Sequence, residues 1–296
     1  MIYNAIKGVI TAIITPFKNN EIDKQAYKKL VELQIKAGIQ GIAPCGTTGE
    51  SATLDIEEHE MLIDYTIEIA DHKTIVIAGT GSNNTKEAIE LTKHAEKSGA
   101  DAALLITPYY NKPTQNGLYE HFKAVSEAVD IPIILYNVPG RTSVNMLPET
   151  VAKLSEIKNI IGIKEATGSV QQVTDVIKLC RKDFIVLSGD DFTALPAMAI
   201  GAKGVISVTS NIVPEKIVEM FNAFEEGNLQ KAAKLNLALW KLHNAMFMET
   251  NPIPVKAAAF LMGWISKEIR LPLTPLSEAG MSKLKNVMTE AGLKNE

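Results

Sequence analysis

Lys164 closes the apolar run Ile160-Ile161-Gly162-Ile163, and the residues after it, Glu165-Ala166-Thr167-Gly168-Ser169, are polar and loop-like. A lysine at that junction stands at the carboxyl end of a buried strand, with its stem packed and its amine turned to a cavity. Desolvation disfavours the ammonium form and makes the amine a usable nucleophile. Such an amine forms a Schiff base with a carbonyl substrate. Taken alone, the position better describes a lysine that snorkels to water, the commoner arrangement. Company decides between the two, because imine chemistry needs proton carriers close by and an anchor for the substrate.

Three segments offer that company. Gly46-Thr47-Thr48-Gly49-Glu50-Ser51 follows a short apolar run, and its hydroxyls and backbone N–H groups could hold a small carboxylate. A plain glycine-rich loop has the same composition. Tyr136 ends another apolar run and could pass protons between amine, carbinolamine and substrate carbonyl; a strand-end tyrosine with its hydroxyl in water is the plainer alternative. Arg141 lies in Asn137-Val138-Pro139-Gly140-Arg141-Thr142, a loop stiffened by Pro139, where its fork can take a carboxylate bidentately. Most loop arginines are simply solvated.

The elements that must position these residues alternate along the chain. Strand candidates cover 8–15, 41–44, 74–78, 102–106, 133–136, 160–164, 184–188 and 204–208. Helix-like stretches at 24–37, 56–70, 85–98, 117–128, 147–154, 170–180, 192–200 and 214–226 follow them in turn. Asp55, Asn84 and Pro214 stand at helix starts, and Gly38 and Gly99 at helix stops. This pattern predicts an α/β fold, a (β/α)8 TIM barrel over residues 1–226. A doubly wound open sheet is the competitor, but it needs fewer strands and no Gly-x-Gly-x-x-Gly turn follows the first one. Residues 227–296 lack β-rich runs and read as a helical C-terminal extension, with segments near 229–248, 253–264 and 277–291. In a barrel, chemistry gathers at the carboxyl ends of the strands, where the segments named above fall.

Composition narrows the classes. A net charge of -4 with no basic cluster argues against nucleic acid. No apolar stretch reaches the roughly 18 to 20 residues of a membrane helix. The run 8–14 reads as a first strand and not as a signal peptide. The two cysteines, Cys45 and Cys180, form no disulfide framework, which fits a reducing, cytoplasmic setting. The five histidines fall mainly in helices away from the strand ends and show no metal-ligand spacing, so no metal is expected. The glycines near 189–204 lie where barrels often bind phosphate, yet no Lys- or Arg-rich partner joins them.

Taken together, Gly46-Thr47-Thr48-Gly49-Glu50, the segment 136–142, Gly162-Ile163-Lys164-Glu165-Ala166-Thr167-Gly168, Ser188-Gly189-Asp190-Asp191 and Asn251-Pro252-Ile253-Pro254-Val255-Lys256 are similar to the dihydrodipicolinate synthase family. That family sits within the pyruvate-dependent class I aldolase and N-acetylneuraminate lyase group. The pieces run in order over most of the chain. The first loop and the lysine mark the wider group, whereas Gly140-Arg141-Thr142 is the more specific piece, since sialic-acid lyases lack an arginine there.

The resemblance implies a synthase that condenses pyruvate with L-aspartate 4-semialdehyde to give 4-hydroxy-tetrahydrodipicolinate, on the route to diaminopimelate and lysine. It implies no cofactor beyond a covalent imine between Lys164 and pyruvate. Thr47, Tyr136 and Tyr110 would form a proton relay, with Tyr110 reaching in from a partner subunit of a homotetramer built as a dimer of dimers. Thr48 would hold the pyruvate carboxylate, Arg141 the carboxylate of the semialdehyde, and Gly189 and Ile206 the pyruvate side through backbone groups. Some members are inhibited by L-lysine at the dimer interface. The matching positions are Ser51, Ala52, His59, Asn83, Glu87 and Tyr109, while Ile56 departs from the histidine that some regulated members carry. The alternative is an N-acetylneuraminate or 2-keto-3-deoxy sugar acid lyase using the same lysine. Arg141 separates the two, because a sugar acid needs hydroxyl partners where a short aldehyde acid needs a carboxylate clamp.

Overall fold

Short β-branched runs separated by capped amphipathic stretches need cover on both faces, which a closed barrel ringed by helices supplies. In the computed structural model, which describes residues 6–293, they form such a barrel. The chain opens with β1 (Gly8–Ala12), a small hairpin of β2 (Phe17–Lys18) and β3 (Glu21–Ile22), α1 (Lys24–Lys36) and β4 (Gly41–Ala43). It continues through α2 (Ile56–Ala70), β5 (Ile75–Gly79), α3 (Thr85–Ser98), β6 (Ala102–Ile106), α4 (Gln115–Glu127) and β7 (Ile133–Asn137). The one-turn α5 (Pro139–Thr142) precedes α6 (Pro148–Ser155), β8 (Ile160–Glu165), α7 (Val170–Leu179), β9 (Ile185–Ser188) and α8 (Asp191–Ala199). The last strand, β10 (Gly204–Ser207), leads to α9 (Pro214–Glu225), α10 (Leu229–Ala245), α11 (Ile253–Leu261) and α12 (Glu278–Glu290). All barrel pairings are parallel, in the closed order β1-β10-β9-β8-β7-β6-β5-β4.

The fold is thus the expected (β/α)8 barrel with C-terminal helices. Helix starts follow the capping chemistry: Asp55 and Glu58 make a reciprocal capping box on α2, and Asn84 caps α3. The hairpin was not anticipated, although its signal is in the sequence. Asn19 and Asn20 both take positive φ (56° and 64°), the backbone of a two-residue hairpin turn. Glu268 accepts both of their N–H groups, at 2.8 and 2.9 Å.

One core cluster takes side chains from all eight barrel strands, among them Ile10, Ala43, Ile77, Leu104, Tyr136, Ile161, Leu187 and Ile206, and fills the barrel interior. Two further clusters lie between strands and helices, and the larger one includes Leu239, Leu242, Val255 and Leu284 of α10–α12. The C-terminal helices therefore share the outer core of the barrel. Among the described residues, no helix is long and apolar enough to cross a membrane, and no group of three acidic, histidine or cysteine side chains could hold a metal.

Candidate active site

The orientation of Lys164 comes from an irregularity in β8. Ile133 pairs with Ile160, but Ile134 pairs with Gly162, so β8 carries one extra residue at Ile161. Strict alternation would place Ile161 and Ile163 on one face and Lys164 on the other. With the bulge, Ile160 and Ile163 face the helices, Ile161 faces the interior, and Lys164 stands in register with the inward-facing Tyr136. The lysine amine lies 4.2 Å from the Tyr136 ring centroid and the residue is only 6% exposed. β8 runs one residue past its expected end, through Glu165, which points outward. Its carboxylate accepts from Asn137 and Gln172, and burial raises its pKa against those bonds.

Gly189 makes room for the lysine stem. A Cβ there would come within 2.4 Å of Ala166 Cβ and 3.1 Å of Lys164 Cε. Next to it, Asp190 is pushed up to about 6 by burial, with the positive charge of Lys164 opposing. Ile206 is fully buried in the interior cluster with Tyr136.

A cavity of about 370 Å³ opens beside this pair. Thr47, Tyr136, Arg141 and Asn251 line it, and Lys164 and Thr48 adjoin the lining through Tyr136 and Asn251. Gly79 lets the Cys45–Gly46 backbone close in, since a Cβ there would meet Cys45 O at 2.3 Å. Cys45 is buried, which pushes its thiol pKa up, so it is inert, as expected of a small packing residue. Arg141 sits on α5, which Pro139 starts, and its Nη2 donates to Asn251 O at 3.1 Å. Thr48 is 3% exposed, and its Oγ1 accepts from Asn251 Nδ2 at 3.0 Å.

The loop of Thr47 and Thr48 is pinned at its far end. Glu50 takes a left-handed conformation (φ 56°) and forms a fully buried ion pair with Lys256 of α11. Burial pulls the Lys256 ammonium pKa down while Glu50 pulls it up. Glu50 also accepts from Arg270 N, and Lys256 and Arg270 both lie against the Phe17 ring, at 4.4 and 4.2 Å.

The same cavity runs on past Ser51, Ala52, His59, Glu87 and Tyr109. His59 lies on helix α2, as expected, and stands in the wall of this cavity extension, where burial depresses it to about 4. Asn83 is not in the wall; its Nδ2 donates to Tyr109 O at 3.1 Å. Tyr110 does not join the cluster. It is 90% exposed on a backbone of positive φ (73°), outside the cavity of its own chain.

A profile of the Dihydrodipicolinate synthetase family matches residues 5–291. The chain belongs to that family. It is 58% identical over 287 residues to the 4-hydroxy-tetrahydrodipicolinate synthase of Geotalea uraniireducens (strain Rf4), covering 97% of this chain and 99% of that protein. The crystal structure of dihydrodipicolinate synthase from Aquifex aeolicus superposes with a TM-score of 0.97 at 48% identity, over 98% of this chain and 100% of the other. The chloride-inhibited family enzyme of Acinetobacter baumannii, solved with pyruvate, gives 0.95 at 50% identity, over 97% and 99%. Sequence reasoning quoted Asn251, Glu50 and Lys256 within matching segments but gave them no role. Only their partners, far away in the chain, reveal one.

Proposed function

We infer that this family member is a Schiff-base-forming synthase that condenses pyruvate with L-aspartate 4-semialdehyde to give 4-hydroxy-tetrahydrodipicolinate. The carrying observation is Lys164 in register with Tyr136, its amine 4.2 Å from a ring that lines the same cavity as Thr47 and Arg141. The family's name and the relatives' names agree with this chemistry.

In this reading the Lys164 amine adds to the pyruvate carbonyl, and the carbinolamine loses water to give the imine. Removal of a methyl proton gives the enamine, whose carbon attacks the aldehyde. The substrate amine then closes the ring by transimination and frees the lysine. The imine itself carries the electrons, so no cofactor is invoked. Tyr136 and Thr47 move the protons, together with Tyr110 of a second subunit; the 90% exposure of Tyr110 supports that assignment, since it leaves the ring free to enter another chain's cavity. Thr48 holds the pyruvate carboxylate, and Gly189 and Ile206 flank the pyruvate side. Arg141 takes the carboxylate of the semialdehyde, which favours this acceptor over a sugar acid.

Two finer readings belong here. A homotetramer would supply Tyr110, and the extension of the cavity past Glu87 offers L-lysine a carboxylate for its ammonium group. Inhibition is expected to be weak to moderate because Ile56 replaces a histidine, and a flat response to millimolar lysine would remove it. A small-molecule enzyme of this kind is assigned to the cytoplasm. The central test is to incubate the protein with pyruvate, reduce with borohydride and map the adduct by peptide mass spectrometry. An adduct on Lys164 is expected, and an unmodified Lys164 would overturn the mechanism.

A further inference from the structure

Asn251, 4% exposed, lies just before α11 and reaches both carboxylate anchors with different atoms. Its side-chain Nδ2 donates to Thr48 Oγ1, and its backbone oxygen accepts from Arg141 Nη2. A threonine hydroxyl has one proton and two lone pairs. The amide occupies a lone pair, and among the described residues Thr48 Oγ1 has no other partner, so its proton is left for an incoming anion. Were the amide turned over, Asn251 Oδ1 would take that proton. Instead Oδ1 is buried with no partner. An unpaired buried acceptor carries a penalty that points to function.

We propose that Asn251 is a positioning residue that sets the polarity of the Thr48 hydroxyl, so that it donates to the carboxylate of the 2-oxo acid substrate. The device rests on the reading that Thr48 holds that carboxylate. It splits the work of one residue: the side chain serves the keto acid through Thr48, and the backbone serves the aldehyde acid through Arg141. Replacing the side chain therefore touches one substrate and spares the other.

The test is a double-mutant cycle on the full-length enzyme, reading KM for each substrate, kcat and thermal melting. Thr48→Val is expected to raise the pyruvate KM by about 10- to 100-fold. Asn251→Ala is expected to raise it by several-fold, with the semialdehyde KM within about twofold of the parent. In the double variant the pyruvate KM should match that of Thr48→Val alone, because the asparagine acts only through that hydroxyl. Asn251→Asp keeps the shape, accepts the Thr48 proton instead of sparing it, and should raise the pyruvate KM further than the alanine. It also carries the test if the alanine variant folds poorly. Multiplying effects in the double variant, or a parental pyruvate KM in Asn251→Asp, would overturn the proposal while leaving Thr48 in place. A parental pyruvate KM in Thr48→Val would instead remove the reading beneath it.

Discussion

The two sides of the cavity hold their residues by different means. Lys164 and Tyr136 stand on adjacent parallel strands, and the hydrogen-bond ladder of β7 and β8 sets their separation. Thr48, on a loop, and Arg141, on the one-turn helix α5, are held by Asn251, 203 and 110 residues away in the chain. Glu50, at the end of the first loop, is held by Lys256, 206 residues away. The strand side takes its precision from the ladder between neighbouring strands, including the extra residue at Ile161 that turns Lys164 inward. The loop side borrows its precision from the helices after the barrel. The imine-forming amine thus sits where neighbouring strands fix it locally, and substrate selection sits where a second region can adjust it.

That contrast can be broken at several points. The largest effect is expected on the strand side: Lys164→Arg should lower activity by something on the order of 10⁵-fold and abolish the borohydride adduct, with melting temperature nearly unchanged. A stable, active Lys164→Arg enzyme would end the assignment of the nucleophile. Tyr136→Phe, which keeps the ring against the amine, should cost about 10²- to 10⁴-fold in kcat. Pre-steady-state trapping should then show slower imine formation.

On the loop side the first casualty should be stability. Lys256→Met leaves the Glu50 carboxylate buried without its partner, at about 3–5 kcal/mol measured by urea unfolding. Adding Glu50→Gln should recover part of that loss; no recovery would mean that the pair does not act as a unit. Arg141→Ala should raise the semialdehyde KM by about 10²-fold and leave the rate of pyruvate imine formation alone. Equal effects on both substrates would erase the division of labour.

The smallest effect concerns acid. Burial holds both His121 and His59 near 4, below the ordinary histidine value. A histidine depressed in the folded state takes up its proton first in the unfolded chain, so its contribution is intact above about 6.5 and lost as pH falls toward 4. The raised Asp190 and Glu165 act in the opposite sense, since their folded forms hold protons more tightly. Between pH 7 and 4.5, His121→Gln, which lies outside the cavity, should lose roughly 2 kcal/mol less stability than the parent in parallel urea titrations. Identical pH slopes would count against burial as the cause.

Much of this protein was legible in the chain because its signals are local. Apolar runs bounded by Gly and Pro marked the barrel strands to within a few residues, and 56–70 and 85–98 coincide with α2 and α3. The strand-end reading drew attention to Lys164, Tyr136, Thr47 and Arg141 because barrels expose chemistry there. That the Lys164 amine turns inward was expected from its place at a strand end, but the means was not legible: simple alternation sets it opposite Ile161, which faces the interior, and one extra residue in β8 brings it back. The place of Tyr110 outside its own cavity was expected only from the family resemblance, since no local signal around it carries that information.

What the sequence determined by itself was therefore the order and type of the elements and the chemical inventory at the strand ends, because capping, periodicity and turn preferences act within a few residues. Only the tertiary structure decided which way those side chains point and which distant groups hold them. Register, burial and the partners of a hydroxyl or guanidinium depend on pairings across 100 to 200 residues, as Asn251 with Arg141 and Thr48 illustrates. Those pairings exist only once the barrel has closed and the last helices have packed against it.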